Sequence, residues 1–480
     1  MRTISKHIFL DALACPVLGW ETRSETTIEA PTLGEKFRME QGFEIGKRAR
    51  SLFPDGILID QRDMASAAEL TARLMADSRV SILFEAAFQA GNFAARADIL
   101  MRAEDGWRMI EVKSSVSDKP EHLDDMAYTA MVMGRFGFEL SKVSLLLISR
   151  EFRLGMSNEA LFVEMDHTDE VLERAESFKL LADDLDTLTG GEEKPRAELA
   201  LSCRKCALFK TCQGKDIENH IFDIPRLSAS KFDKLFQESI LRIEEIPATF
   251  PLTENQQRVR VGVVSNAPIV SKDLGRALEA ILYPACYLDF ETFMTAIPLY
   301  PDLAPYAQVP IQYSLHICTG PGRVDNHLEY LADPTRDCRR VLAERLLRDL
   351  SIAGSIIAYS SFEKTIINKL AEQFPDLSPD LSALIDRIVD LEAILRTHFY
   401  HPHFHGSTSI KKTLPVLVPE MSYEGLEIAS GDVAMSAYAL MAQDHYEEAE
   451  REILRKNLLE YCRQDTLAMV RLHERLLDYT

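Results

Sequence analysis

The chain has 480 residues, of which 46% are hydrophobic and 27% charged, and a formal net charge of −21. That length exceeds one ordinary core and predicts two or three domains of roughly 100–200 residues. The acidic balance excludes a protein that coats nucleic acid through its overall charge. It is compatible with carboxylates that hold divalent cations and with a local basic groove.

Residues 1–80 read as helical segments broken by turns, the clearest at 43–53, closed by Pro54-Asp55-Gly56. Ala12-Leu13-Ala14-Cys15 has the form of a lipoprotein cleavage box. Asp11 interrupts the apolar run, however, and Ile8-Phe9-Leu10 is too short for a signal segment. No stretch approaches the roughly 20 apolar residues of a membrane span, so a cytoplasmic protein with no membrane partner is expected. Strand-like runs follow at 80–88, 94–101 and 107–112, the last two joined as a hairpin by Glu104-Asp105-Gly106. Residues 124–134 suit a helix, 143–149 a buried strand, and the acidic stretch 181–198 a surface loop or helix end.

After a cysteine-rich segment, 214–280 offers one helix near 229–244, several Pro-marked breaks and no evident chemistry. A second set of elements begins near Tyr283: strands at 286–290, 311–318 and 326–331, a helix at 336–350, a strand at 355–360 and a helix at 362–374. Long helices at 430–443 and 446–477 end it. The expected organisation is mixed α/β, with a first domain over 1–215, a connector over 216–280 and a second domain over 281–480.

Three residues stand out in the first domain. Glu111 and Lys113 are two apart on a strand and share a face, and Asp98 can meet them across the hairpin. Two carboxylates on a rigid sheet suit Mg²⁺ or Mn²⁺. Glu85, in the apolar run ILFEAAF, is an awkward place for an unpaired charge. An isolated motif of this kind is usually a salt-bridged hairpin. In this context the segment resembles the PD-(D/E)XK nucleases of the RecB type. The resemblance implies metal and catalytic roles for Asp98, Glu111 and Lys113, with Glu44 or Glu85 as a further acidic ligand. Where many such nucleases carry a Gln in the next helix, this chain has DMAYT at 125–129.

Cys203-x2-Cys206-x5-Cys212 lies in a polar, lysine-containing segment, and Cys15 is the natural fourth thiolate of a tetrahedral set. Spacing alone leaves zinc and iron–sulfur open. One N-terminal cysteine plus this C-terminal trio around a RecB-type core resembles the iron–sulfur nucleases, including the CRISPR-adaptation and AddB types. That implies a structural [4Fe–4S] cluster, with zinc as its rival. The other four cysteines, Cys286, Cys318, Cys338 and Cys462, read as small buried hydrophobes.

In the second domain Asp289 and Glu291 share one face of an apolar strand, a costly arrangement unless cations neutralise it. Tyr461 and Asp465 are one helical turn apart. The set resembles the DEDD exonucleases of the DnaQ and RNase T type, with an RNase H-like fold. Asp289 and Glu291 match their first motif, and Tyr461 and Asp465 the tyrosine form of the third. Glu363 stands where the second motif has Asp, and Asp390 is a further acid. Residues 409–414 (SIKKTL) resemble the Ser-Leu-Lys segment of these enzymes. His398, His401, His403 and His405 fit no standard metal spacing and read as solvated or substrate-facing.

These resemblances imply a dual-site, metal-dependent nuclease acting on DNA rather than RNA, in repair or antiphage defence. One alternative is a single active site with the other domain reduced to nucleic-acid binding. Another is a noncatalytic, cluster-bearing scaffold. The whole chain also resembles a family of uncharacterised bacterial proteins, through Ser5-Lys6-x-x-Phe9-Leu10, Cys15-Pro16 and the LDFET strand.

Overall fold

The computed structural model describes residues 3–24 and 30–480; the part of the expected N-terminal helical stretch at 25–29 lies outside them. The protein is mixed α/β and divides into two compact units. One is Met1–Gln213 with Met294–Ala307, and the other is Gly214–Phe293 with Gln308–Thr480. No helix among the described residues is long and apolar enough to cross a membrane.

Unit 1 is built on a six-stranded sheet: β1 (Ile57–Leu58), β2 (Ile82–Ala90), β3 (Phe93–Ala103), β4 (Gly106–Val112), β5 (Leu140–Ile148) and β6 (Phe162–Asp166), neighbours in that order. The β2–β3–β4 meander is antiparallel, whereas β4 and β5 are parallel. A parallel pair needs a crossover, and α5 (Pro120–Arg135) makes it. Its helices are α1 (Lys6–Ala14), α2 (Pro16–Ser24), α3 (Leu33–Arg50), α4 (Met64–Ala76), α5 and α6 (Thr168–Gly190).

The helix expected at 43–53 begins earlier, at Leu33. A capping box is the reason: Thr32 accepts from the Glu35 amide at 3.2 Å, and Glu35 accepts from the Thr32 amide at 2.8 Å. Phe9 of α1 packs on Tyr128 of α5 and Phe178 of α6, with ring centroids 5.1 Å apart in each pair. These join Leu100 and Met109 in the core on one side of the sheet. Ala49 of α3 meets Ile99 and Ile110 on the other side. Alternation along β4 therefore turns Glu111 toward the layer of α1 and α5.

Unit 2 begins with α7 (Ala229–Gln237), α8 (Glu254–Ser265), β7 (Ile269–Val270) and α9 (Leu274–Glu279). Its main sheet comprises β8 (Ala285–Phe293), β9 (Val309–Gly320), β10 (Arg323–Leu331), β11 (Ile356–Ala358) and β12 (Ile388–Asp390), in spatial order β10-β9-β8-β11-β12. The first three are antiparallel; β11 runs parallel to β8 and β12 parallel to β11. Helices α10 (Arg339–Asp349), α11 (Phe362–Gln373) and α12 (Ser378–Ile385) bury Leu342, Ile366 and Leu381 against Cys286, Leu288 and Phe290. After α13 (Leu391–His398), β13 (Phe399–Tyr400) pairs with β7. The chain ends with α14 (Ile410–Leu417), α15 (Gly431–Ala442) and the 30-residue α16 (Glu448–Leu477).

Two features depart from the expected organisation. Residues 216–280 are not a separate connector but part of unit 2. Phe232, Leu235, Ile243 and Val259 are buried, and Arg258 donates to the Arg396 carbonyl at 2.6 Å. Pro225, Pro247 and Pro251 chop this stretch into pieces too short to show a period. The chain also leaves unit 2 after Phe293, adds Met294–Ala307 to unit 1 and returns at Gln308. In unit 1 that segment is fixed by Gln41, which accepts from the Ala296 amide at 2.8 Å, and by Tyr306, whose hydroxyl donates to the Ser114 carbonyl at 2.8 Å.

Each buried apolar side chain is worth about 1.5–3 kcal/mol, and whole domains are stable by only about 5–15 kcal/mol. A fragment of residues 281–480, which lacks Phe232, Leu235, Ile243 and Val259, should show no cooperative thermal transition by circular dichroism. A 214–480 fragment should unfold cooperatively. A cooperative transition in the shorter fragment would refute the assignment of 214–280 to this core.

Candidate active site

Along β8 the side chains alternate. Cys286, Leu288 and Phe290 enter the core under α10–α12, and Asp289 and Glu291 take the opposite face, where α15 and α16 pack. On α16, Tyr461 and Asp465 lie on that buried side. Asp289, Glu291 and Asp465 thereby bring carboxylate oxygens within 4.8 Å of one another, a three-ligand group that could hold a metal ion.

The surroundings leave this group short of counter-charge. The Cys462 thiol donates to Asp289 Oδ2 at 3.4 Å, and the Tyr423 hydroxyl donates to Asp465 Oδ1. Lys411, one residue into α14, holds Nζ 5.6 Å from the ring centroids of both Tyr423 and Tyr461. Burial, reinforced by neighbouring carboxylates, pushes Asp289 well above the usual range and Glu291 up to about 8. Burial raises Asp465 to about 6, although hydrogen bonds from Tyr423 and Tyr461 and the charge of Lys411 oppose it.

Glu363, in the first turn of α11, is 3% exposed. Its Oε2 has no hydrogen-bond partner, and burial followed by the charges of Asp390 and Asp465 raises it to about 7. Asp390 closes β12 and caps α13, accepting from the Ala393 amide at 2.9 Å.

The hairpin residues of unit 1 come together differently. The pairs flanking them, Phe84 with Ile99 and Ala86 with Ala97, then Ile99 with Ile110, set Glu85, Asp98 and Glu111 in line across β2, β3 and β4. Glu111, 2% exposed, is clasped by two lysines: Lys6 Nζ at 3.1 Å and Lys113 Nζ at 2.9 Å. Asp125 of α5 pairs with both lysines, at 3.4 Å from Lys6. Burial alone would raise Glu111, but Lys6 and Lys113 outweigh it and hold the acid at about 2. Asp98 has no ion pair of this kind among the described residues, and the charge of Lys113 only partly offsets its burial. Burial and the Glu111 charge push it up to about 8, although the Val112 amide donates to it at 2.7 Å. Glu85 has a positive φ of 55° and an ion pair with Arg50 at 3.6 Å, so its charge is not unpaired as the sequence suggested. Glu44 pairs along its own helix with Arg48 at 2.8 Å. Among the described residues, these acids form no three-ligand group of the kind seen in unit 2.

The four cysteines expected to share a ligand all line one cavity of about 210 Å³: Cys15 from the junction of α1 and α2, and Cys203, Cys206 and Cys212 from the turns that end unit 1. The stretch 181–198, expected as a surface loop or helix end, opens with the last turns of α6, which ends at Gly190. The four histidines gather no metal group among the described residues; His405 instead faces Asp223 at 3.1 Å.

Residues 286–409 match the family model described as "Domain of unknown function (DUF2779)". That stretch holds Asp289, Glu291, Glu363 and Asp390 and stops before Tyr461 and Asp465. Uncharacterized protein MG366 of Mycoplasma genitalium is 23% identical over 205 residues, which cover 38% of this chain and 30% of the relative. Its homolog from Mycoplasma pneumoniae is 24% identical over 213 residues, 40% and 32% of the two chains. The chain thus spans about a third of the length of the curated relatives it matches.

Sequence reasoning did not find Lys6, Asp125, Tyr423 or Cys462. Cys462 was readable in principle, because it adjoins Tyr461 on a helix whose neighbour faces the acids. Lys6 and Asp125 lie far from Glu111 in sequence, and only packing reveals them.

The raised carboxyls of unit 2 make stability depend on pH. Unfolded, such acids titrate near about 4, so the folded state binds more protons through the window up to about 8. Their contribution favours folding below that window and is lost as pH rises through it. In EDTA the melting temperature should fall between pH 5 and 8.5. Glu291→Gln should flatten that fall and raise stability at pH 8 by on the order of a few kcal/mol. Identical pH profiles for the parent and the variant would sink the charge-repulsion account.

Proposed function

We propose that unit 2 is a divalent-cation-dependent phosphodiesterase acting on nucleic acid, of the RNase H-like exonuclease type. The observation that carries this reading is the buried convergence of Asp289, Glu291 and Asp465. The strand order, with three antiparallel strands extended by two parallel ones, supports it. The residues fit Mg²⁺ or Mn²⁺: the donors are hard oxygens, they are under-neutralised, and Glu363 offers a buried oxygen with no protein partner. Divalent cations bound there supply Lewis acidity and charge compensation for phosphoryl transfer. Asp289, Glu291 and Asp465 would hold them, with Glu363 and Asp390 at the margin.

The chain's own residues supply the rest. Tyr461 stands one turn from Asp465 and orients the attacking water. Lys411 places an ammonium between the two tyrosines, where it attracts a phosphate and offsets charge developing on its oxygens. Burial excludes bulk water and strengthens these interactions. DNA, in repair or defence against phage, is the substrate this reading favours.

A second reading gives unit 1 a PD-(D/E)XK-type hydrolytic site. The in-line placement of Glu85, Asp98 and Glu111 favours it. In that site Lys113 and Lys6 counter the buried Glu111.

For the cysteines we propose a [4Fe–4S] cluster with a structural role. All four thiols line one cavity, which supports a shared ligand. A cubane ligates each thiolate through a different iron, as the resemblance to the iron–sulfur nucleases implies, and a zinc ion in a tetrahedron of thiolates is the rival.

Two predictions test these readings. With Mn²⁺, the protein should release p-nitrophenol from the p-nitrophenyl ester of thymidine 5′-phosphate and shorten end-labelled single strands. Asp289→Ala should abolish both activities. Tyr461→Phe should slow them by roughly 10²-fold, the low end of what positioned proton-transfer groups contribute. Parental rates in Asp289→Ala would move the chemistry out of unit 2; loss of the remaining rate on adding Lys113→Ala would then assign it to the hairpin. For the cluster, anaerobically purified protein should be brown, absorbing broadly at about 400 nm. Cys206→Ser should bleach it and lower the melting temperature. Colourless protein with stoichiometric zinc would overturn the iron assignment.

A further inference from the structure

Unit 2 has a polar cavity of about 790 Å³, walled by the turn after Ile224, the start of α8 and the segment from α13 to Ser409. Three cations line it, Arg226, Lys231 and Arg396, against one acid, Glu392. This is a local positive excess in a chain of net charge −21.

The cations are mounted rather than adrift. Gln256, 3% exposed, accepts from Lys231 Nζ at 2.7 Å and donates to the Pro225 carbonyl at 2.9 Å. That ties α7, α8 and the turn carrying Arg226 together. Arg396 faces Glu392 at 3.5 Å, and its carbonyl is held by Arg258. Arg226 is exposed to the cavity with its side chain uncommitted to any ion pair among the described residues.

Backbone donors add to this. Ser228, Thr253 and Ser409, the residues capping the starts of α7, α8 and α14, all line the cavity. Helix starts carry partial positive charge and free amides suited to phosphate. Ser409 makes no side-chain cap at the start of α14, although its carbonyl accepts from the Lys412 amide at 2.9 Å. Two residues on, the same helix carries Lys411, whose charge reaches Glu291 and Asp465. Tyr359 pins the junction, donating to the Thr408 carbonyl at 2.7 Å and pairing with Thr413 Oγ1 at 3.0 Å.

We propose that this cavity binds the phosphodiester backbone of a single strand, DNA or RNA, and feeds it along α14 to the acidic centre. The inference rests on reading that centre as hydrolytic. The volume of the cavity is that of a small-ligand cleft.

The test is fluorescence anisotropy of the full chain in EDTA with labelled DNA and RNA single strands of one sequence. Arg226→Glu and Arg396→Gln should each weaken binding by roughly 3- to 10-fold. Each lost cation should flatten the slope of log affinity against log salt by about 0.7. Arg226→Lys should restore most of the affinity. Manganese-dependent hydrolysis of the small thymidine ester is the internal reference, and the loss on strands should exceed the loss on the ester. Parental affinity and salt slope in both variants, or no strand binding by the parent, overturns the proposal. If the parent leaves the ester intact but the variants still lose strands, the cavity stands and the hydrolytic reading falls. The ratio of DNA to RNA affinity identifies which backbone it takes.

Discussion

Removing a carboxylate from water costs several kcal/mol unless a cation or a set of donors replaces the lost hydration, and the two sheets of this protein answer that constraint differently. In unit 1, Glu111 is matched by Lys6 and Lys113, and Asp125 in turn balances the lysines. The four groups alternate in sign and are nearly self-sufficient. In unit 2, Asp289, Glu291 and Asp465 converge with one ammonium, one thiol and two tyrosine hydroxyls around them. Such a cluster is stable in the folded protein only by retaining protons or by taking up positive charge. That imbalance, more than any single motif, makes unit 2 the stronger candidate for a cation-dependent centre.

The backbone sets up the imbalance. A strand of period two must send Asp289 and Glu291 to the same face once Leu288 and Phe290 are committed to the core. A helix of period 3.6 then returns Tyr461, Cys462 and Asp465 over that face. The face is otherwise sealed by neutral pairs, such as the Tyr287 hydroxyl with His473 at 2.6 Å and Ser314 with Thr466 at 2.8 Å. Burial pushes His316 down to about 3 and His473 down to about 4, so neither ring brings a cation to the acids.

These periodicities explain what could be read from the sequence. The strands carrying Asp98, Glu111, Asp289 and Glu291, and the helix carrying Asp465, are long and regular, and they fall close to their expected positions. The gathering of Cys203, Cys206 and Cys212 was also legible, because thiols in a polar segment have few other reasons to be there, and Cys15 was the thiol needed to complete the set. What was hidden depends on contacts between distant segments. The core role of 214–280 rests on apolar residues scattered among prolines. The excursion of Met294–Ala307 into unit 1 has no local signal, since Tyr306 differs in no way from a surface tyrosine until Ser114 is placed beside it. Glu111 and Lys113 share a face by their spacing, but the Lys6 half of the clasp and its Asp125 partner depend on α1 and α5 meeting over β4, which no spacing announces.

Glu363 shows how the same constraint bears on a departure from a motif. A glutamate in place of aspartate moves its oxygens outward by a methylene, which argues against a role on a rigid frame. Here the residue starts from the first turn of a helix and stands outside the group formed by Asp289, Glu291 and Asp465. As the second residue of α11 it sits where the helix dipole favours an anion, yet burial and the charges of Asp390 and Asp465 still lift it to about 7. A residue kept for packing alone would gain from losing that charge, and a residue kept for structure would find a donor for its buried Oε2. Glu363 has neither outcome. The arrangement is that of an acid open to a ligand that arrives from outside.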